Sequence, residues 1–379
     1  MHGPDEGVAS RSAGPGRPHD AAGADPQPSD RSRPAQHSPS GHAATKLPGP
    51  YLLFLGDITE PGYAKTALGL RDWARERCIG EFACAGATVS TGLPFLTPAQ
   101  AHVRGARSLV IGVANSGGVI PPAWIPALLQ ALEAGLDIVS GMHARLDRIP
   151  ELQAAALRLG RRLVDVRRPP EALPLASGRK RSGQRLLTLG TDCALGKKYT
   201  ALALARAFAA RGIDADFRAT GQTGILIAGG GMPMDAVVSD FAAGAAEMLS
   251  PDAASDHWDV IEGQGSLFHP AYAGVSLALL HGSQPDVIVV CHQPGRERVL
   301  GHPDFALPTI EDTIALALLL GTRTNPAIRC GGVSLNTAHL DDADALRLLG
   351  AERERLGCAV ADPMRGGAAF ERLVEDCLA

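Results

Sequence analysis

The chain has 379 residues, enough for two globular domains and an appendage. Hydrophobic residues make up 45% and charged residues 20%, so there is ample material for buried cores. A formal net charge of −4 leaves no basic footprint for a nucleic-acid partner, and no apolar run approaches the roughly 20 residues that span a bilayer. The seven cysteines are odd in number, scattered, and contain no C-x-x-C pair. That pattern predicts reduced thiols in the cytoplasm, with neither a disulfide framework nor a metal-ligating set.

Residues 1–46 are rich in Pro, Gly, Ser, His, Asp and Arg and nearly free of large apolar side chains. Such a segment cannot bury enough surface to offset its ordering entropy, so a disordered tail is expected there, without the apolar stretch of a secretory signal. Order is expected to begin at Tyr51-Leu52-Leu53-Phe54-Leu55, a short buried strand ending in Gly56-Asp57. A helix over residues 63–77 follows, with Leu68, Trp73 and Ala74 as core contacts. Then come a strand at 108–113, a helix at 122–133, a strand at 136–139, a helix at 151–159 and a strand at 162–166. Strands alternating with helices predict a parallel sheet covered on both faces, here a Rossmann-like α/β domain over residues 47–175. No G-x-G-x-x-G follows the first strand, so dinucleotide binding has no support.

Residues 167–185 contain Pro169-Pro170 and the cluster Gly178-Arg179-Lys180-Arg181-Ser182-Gly183. This is a linker composition, and the domain boundary falls within it. The basic cluster reads as a solvated hinge, or alternatively as a contact to a phosphate. A second α/β domain spans residues 183–379.

That domain opens with an apolar run, Leu186 to Leu189, which leads into Gly190-Thr191-Asp192-Cys193-Ala194-Leu195-Gly196-Lys197-Lys198-Tyr199-Thr200 and then an alanine- and leucine-rich helix. Strand, glycine-bounded loop, Gly-Lys and helix make a phosphate cradle. Backbone N–H groups converge on an anion, the helix N-terminus adds partial positive charge, and a lysine adds a full one. Five residues, not the usual four, separate Gly190 from Gly196, and Lys198 stands where Ser or Thr normally holds Mg²⁺. Thr200 could take over that role or simply begin the helix. Cys193, inside the loop, would be activated if exposed and is otherwise a small packing residue.

Further along, a strand over 214–219 ends in Thr220-Gly221-Gln222-Thr223-Gly224, small polar residues that let a ligand approach the backbone. A helix is predicted over 235–249. The strand 257–261 ends in Glu262-Gly263-Gln264-Gly265-Ser266, which puts an acid at the position that handles a metal or a water in a P-loop domain. Gln222 and Gln264 are candidate substrate contacts. His269 and His281 are candidate bases, His269 the better placed of the two. The clearest buried strand, 286–291, exits into His292, Gln293 and Arg296. The strand 327–335 runs into Asn336, a candidate for recognising a nucleotide base or else a turn residue. A helix, a strand over 357–361 and a last helix close the chain.

The Gly190-Thr191-Asp192 opening and five-residue spacing resemble the P-loop of dethiobiotin synthetase. The longer set resembles the D-glutamate N-acetyltransferase family, whose members carry a P-loop C-terminal domain. It comprises the loop through Lys197, the stretches 220–224, 261–267, 269–276 and 281–286, and Lys65-Thr66-Ala67 with residues 139–143 in the first half. This resemblance implies acetyl transfer from acetyl-CoA to the amine of D-glutamate, a small-molecule substrate, with the loop holding CoA phosphates. Glu262 or His269 would be the base, and backbone N–H groups of Gly263-Gln264-Gly265 would stabilise the oxyanion. Arg296, or Lys65 across the cleft, would meet the substrate carboxylates. The rival readings are a Mg·ATP-dependent ligase or kinase with Lys197 on the phosphates and Asn336 on adenine, and a non-catalytic nucleotide-binding regulator. A homo-oligomer is compatible with the sequence.

Overall fold

The computed structural model describes residues 47–379; the tail expected at residues 1–46 lies outside them. Strand β1 (Tyr51–Phe54) is buried at every position. It pairs in parallel with β2 (Cys78–Phe82) on one side and β3 (Ser108–Ile111) on the other. Strands β4 (Asp137–Ser140) and β5 (Leu163–Asp165) complete a five-stranded sheet in the order β2-β1-β3-β4-β5. Helices α1 (Lys65–Trp73), α2 (Pro98–Val103), α3 (Ile125–Glu133) and α4 (Pro150–Leu159) connect the strands. The single helix expected over 63–77 is divided. Short 3₁₀ turns at Pro61–Tyr63 and Arg75–Arg77 flank α1, and Ala74 between them is buried.

Strand β2 was not expected, because Cys78-Ile79-Gly80-Glu81-Phe82 contains a glycine and an acid. Both are explained by what they touch. Glu81 is buried and accepts hydrogen bonds from Ser90 Oγ (2.6 Å) and Thr91 N (2.6 Å), so the carboxylate pins the following loop. A Cβ on Gly80 would lie 2.6 Å from Leu96.

The second sheet is built from β6 (Gln184–Gly190), β7 (Ala215–Arg218), β8 (Trp258–Ile261), β9 (Val287–His292), β12 (Arg329–Leu335) and β13 (Val360–Ala361), in the order β13-β12-β9-β6-β8-β7. All these pairings are parallel, and β6 is central. The chain leaves β6 for strands on both sides, so the carboxyl end of β6 is the switch point where open α/β sheets bind ligands. Helices α5 (Lys197–Ala210), α6 (Gln222–Ala228), α7 (Ala242–Leu249), α8 (Ala273–Ser283), α9 (Ile310–Gly321), α10 (Asp342–Leu356) and α11 (Gly367–Leu378) cover the sheet. The small antiparallel hairpin β10 (Arg298–Val299) and β11 (His302–Ala306) hangs beside it.

Three expectations are corrected here. The helix predicted over 235–249 is broken by two 3₁₀ turns, and only α7 is α-helical. The stretch from Gln222 to Gly224, read as loop, begins α6. The basic cluster is a solvated hinge only in part: Arg179 and Lys180 are exposed, but Arg181 is buried, as is Arg185 just beyond the cluster. Arg185 donates to Ser250 Oγ (2.6 Å) and the Pro251 carbonyl (2.8 Å), and Arg181 to the carbonyls of Ser250 (2.6 Å) and Gly282 (2.8 Å). Burial pushes the Arg181 guanidinium down to about 10. This web of carbonyls ties the connecting segment to the second sheet.

The two sheets share a boundary. The apolar core of the first takes in Ala219, Ile225 and Leu226 from α6 and its approach. Across the same seam Thr66 and Thr223 hydroxyls meet at 3.1 Å, Tyr199 donates to Asp72 (3.0 Å), and Arg167 pairs with Asp235 (3.0 Å).

Candidate active site at the carboxyl edge of the second sheet

Between β6 and α5 the chain turns through Thr191–Gly196. Gly196 takes the left-handed conformation (φ 108°) that starts the helix, a backbone state that favours glycine, and Ala194 is left-handed as well (φ 55°). Among the described residues, the backbone N–H groups of Ala194, Leu195, Gly196, Lys197 and Lys198 have no protein acceptor. Such an arc of convergent donors at a helix N-terminus is an anion cradle.

Lys197 lies buried across the floor of this turn, and its amine donates to the Asp192 carbonyl at 2.6 Å. Two glycines make room for it. A Cβ on Gly190 would come 3.3 Å from the amine, and one on Gly263 would lie 3.2 Å from Lys197 Cδ and only 1.7 Å from the Thr188 carbonyl. Burial holds the Lys197 amine below its ordinary range.

The turn is braced from outside by Asp192. Its carboxylate accepts from Cys193 N (2.6 Å), Leu300 N (2.8 Å) and Arg296 (3.1 Å). Arg296 also donates to the Cys193 carbonyl (2.8 Å) and Gln293 Oε1 (2.6 Å). Its guanidinium, expected to meet substrate carboxylates, is thus engaged in holding the loop. Thr200 points elsewhere too: its hydroxyl lies 2.8 Å from Ser334 Oγ on β12, inside the sheet. Burial raises the Cys193 thiol, which keeps its proton and packs rather than reacts.

Glu262, at the end of β8, is buried behind the turn. Its Oε2 accepts from Thr220 N (2.9 Å) and Gly221 N (3.1 Å), the approach to α6. A Cβ on Gly224 would fall 2.3 Å from that oxygen, so a glycine in α6 gives the carboxylate its seat. Burial pushes the Glu262 carboxyl up, opposed by Lys198, by the two backbone N–H groups and by Lys197. A carboxylate raised toward neutrality is what general-base work near pH 7 requires. Gln264 donates to Thr220 Oγ1 (3.0 Å), whereas the Gly263 N–H donates to Thr188 Oγ1 (3.0 Å) and is not available to an oxyanion.

His269 is buried, and its Nδ1 accepts from the N–H groups of Ala271 (3.1 Å) and Tyr272 (3.2 Å). In the neutral ring the proton therefore sits on Nε2. That atom has no hydrogen-bond partner and lies 3.8 Å from Asp192 Oδ1. Burial keeps the imidazole below its usual range, so at neutral pH His269 presents a donor, not the lone pair a base needs. Asp192, Cys193 and His269 each offer one ligand atom within 4.8 Å of the others. With Arg296 on that carboxylate, the Lys197 amine on the backbone carbonyl of the same residue and a protonated thiol, the charge balance there favours an anion. His281 donates to or accepts nothing at this edge; its Nε2 faces the Leu320 carbonyl (3.1 Å).

On the seam side, Lys198 extends from the first turn of α5 toward α1. Gln222 lies against Gly141, where a Cβ would stand 2.2 Å from its Oε1, a buried atom without a partner. Lys65, at the start of α1, is exposed. On the opposite side a cavity of about 360 Å³ opens between the exits of β9 and β12, lined by His292, Pro294, Thr309, Leu335 and Leu348 among others. His292 Nδ1 lies 3.0 Å from Thr191 Oγ1, which joins cavity to loop. Asn336 does not line it, and its side chain accepts from Ala338 N (3.2 Å), as a turn residue does. Sequence reasoning passed over Thr188, whose hydroxyl accepts from Gly263 N (3.0 Å), because a lone hydroxyl in a strand carries no pattern; Thr220 and Ser266, read only as parts of the polar strand exits, donate to the carbonyls of Glu262 and Thr191.

Fold and site define a P-loop α/β protein joined to a Rossmann-like half. Residues 174–374 match the family model described as a domain of unknown function (DUF1611_C), P-loop domain, and residues 81–169 match its companion (DUF1611_N), Rossmann-like domain. The chain belongs to this family. It is 49% identical over 326 residues to a D-glutamate N-acetyltransferase of Tritonibacter scottomollicae, covering 86% of this chain and 97% of that protein. It is 47% identical over 318 residues to a D-glutamate N-acetyltransferase of a Pseudoalteromonas species, covering 84% and 96%. The crystal structure of a DUF1611 family protein from Anabaena variabilis superposes with a TM-score of 0.77 at 33% identity, covering 86% of this chain and 99% of that one. With that much identity over nearly the whole of both enzymes, the protein is an N-acetyltransferase. Among the described residues no helix is long and apolar enough to cross a membrane.

Proposed function

We propose that the protein moves acetyl from acetyl-CoA to the amine of D-glutamate, the acceptor named for both relatives. The arc of unpartnered N–H groups at Ala194–Lys198, closed by Lys197, is the observation that carries the donor assignment. It suits a CoA phosphate, and the neighbouring cavity at His292 has room for the nucleoside. Glu262 takes a proton from the acceptor's ammonium and passes it to solvent. The freed amine attacks the thioester carbonyl and the C–N bond forms. The C–S bond then breaks, and the second amine proton leaves with the CoA thiolate as thiol. His269 Nε2–H acts as a donor to negative charge, toward phosphate or oxyanion. The ATP-dependent alternative is less well served, since Thr200 faces Ser334 and Lys198 replaces the hydroxyl that would hold Mg²⁺.

The test is direct. Thiol release and N-acetyl-D-glutamate by mass spectrometry are followed on mixing protein, acetyl-CoA and D-glutamate, beside a parallel reaction with Mg·ATP. Thiol release dependent on D-glutamate is expected. ADP formation without thiol release would replace this reading with the ligase one.

A further inference from the structure

We propose that Lys198 selects the acceptor by pairing with its side-chain carboxylate in the seam between the two sheets, with Lys65 serving the other carboxylate. This rests on acetyl transfer to a dicarboxylic amino acid, as proposed above, and adds where that acceptor lies. Lys198 occupies the one position of the loop where the common pattern has a small hydroxyl residue. Its side chain leaves the cradle and runs out to α1. There Gly69 is the residue that admits it, since a Cβ at Gly69 would be 3.3 Å from Lys198 Nζ and 2.7 Å from Thr223 Cγ2.

Lys198 makes no ion pair and no side-chain hydrogen bond among the described residues, although it is half-buried and lies over the Tyr199 ring at 5.1 Å. The cations at the turn itself are engaged, Lys197 with the Asp192 carbonyl and Arg296 with Asp192, and elsewhere on the seam Arg167 pairs with Asp235. The charged groups facing Lys198 are Glu262 from the exit of β8 and Asp72 and Lys65 from α1. A partly desolvated ammonium without a counter-ion in contact is a receptor for a carboxylate. The same seam holds the unpartnered Gln222 Oε1, an acceptor for the substrate's ammonium, and it ends at Glu262, the proposed base. Gln222 follows Gly221, whose N–H meets Glu262, and Glu262 and Lys198 act on each other electrostatically, so ammonium acceptor, base and carboxylate receptor border one seam.

The experiment compares kcat/KM for D-glutamate with that for D-glutamine, which differs only in the charge at the distal end, in the parent, Lys198→Met and Lys198→Arg. Methionine fills the same space, and unfolding curves check that both variants fold. The preference for D-glutamate is expected to fall about 30-fold or more in Lys198→Met, the range for removing one partner of a desolvated charge pair, with most of it restored in Lys198→Arg. An unchanged preference would overturn the assignment. So would a rise confined to the KM for acetyl-CoA, which would return Lys198 to the phosphate cradle. If the parent itself releases no thiol with any amino acid, acetyl transfer is the failed reading and the acceptor site falls with it.

Discussion

The two parallel sheets present their carboxyl edges in opposite conditions. In the first, the switch point between β1 and β3 is filled. Trp124 lies over Gly56, where a Cβ would come 2.3 Å from its ring, and its indole donates to Asp57 at 2.8 Å. Gly112, at the exit of β3, is capped by Ala67 of α1. In the second sheet the switch point at β6 opens onto unpartnered backbone donors, a buried lysine and a buried acid. The difference teaches that topology supplies two crevices and side chains decide which one is vacant. Polar groups left without partners mark the working edge, and an aromatic plug marks the structural one.

The largest expected effect breaks the working edge. Glu262→Gln keeps an oxygen for the Thr220 and Gly221 N–H groups, so the fold should survive while kcat falls by about 10² to 10⁴. The acid limb of the pH–rate profile should vanish with it. A base acts only when unprotonated, and the raised Glu262 carboxyl in the parent must lose its proton as pH rises. A variant that keeps both rate and limb would move the base elsewhere.

Next comes the plug. Trp124 is fully buried, and Trp124→Ala is expected to cost about 3–5 kcal/mol of stability by chemical denaturation. At a temperature where the variant is folded, kcat/KM should stay within about twofold. Lost activity without lost stability would mean that the first crevice belongs to the site and that the two edges do not differ in role.

How much of this could be read from the chain follows from the range of the interactions. The loop at 190–200 is legible because its chemistry is local: strand, glycines, lysine and helix are contiguous, and β9 is an unbroken apolar run up to His292. Strand β2 is hidden because Glu81 looks like a surface residue until Ser90 and Thr91 are seen around it. Helix α6 is hidden because Gly224 exists for the sake of Glu262, 38 positions away, and reads as a loop signal on its own. The cations are the least legible. Arg181 and Arg185 look like a hinge and are buried clamps, Arg296 looks like a substrate contact and braces Asp192, and Lys198 looks like part of the cradle and leaves it. Charge is local in sequence, but what neutralises it is not.

A milder effect sharpens the contrast through pH. Burial pushes the Lys198 amine down to about 8, held up in part by Glu262 and Asp72 and lowered further by the like charge of Lys65. The amine is charged below that pH and loses its proton as pH rises through it. A dicarboxylate without an amine, such as glutarate, should therefore inhibit competitively with a Ki that rises above about pH 8, approaching tenfold per unit. Lys198→Arg, charged throughout, should flatten the rise. A parent Ki that is level from pH 7 to pH 10 would remove Lys198 from the acceptor site.

The smallest effect concerns a residue that the sequence allows as a metal ligand. The Thr200 hydroxyl bonds Ser334 at 2.8 Å within the sheet, with Cys291 Sγ 3.5 Å away, so its partners are on β12 and β9 rather than above the cradle. Thr200→Val exchanges the hydroxyl for a methyl of similar size and leaves Ser334 without its partner, a loss of about 1–3 kcal/mol. Thermal unfolding should drop by a few degrees while the KM for acetyl-CoA moves by less than about twofold. Were Thr200 instead the group that positions Mg²⁺ on a nucleotide, the same variant would keep its stability and lose any metal-stimulated turnover of ATP. The two outcomes separate on stability alone, before any assay is run, because a hydroxyl aimed at a ligand contributes nothing to the fold until that ligand is bound.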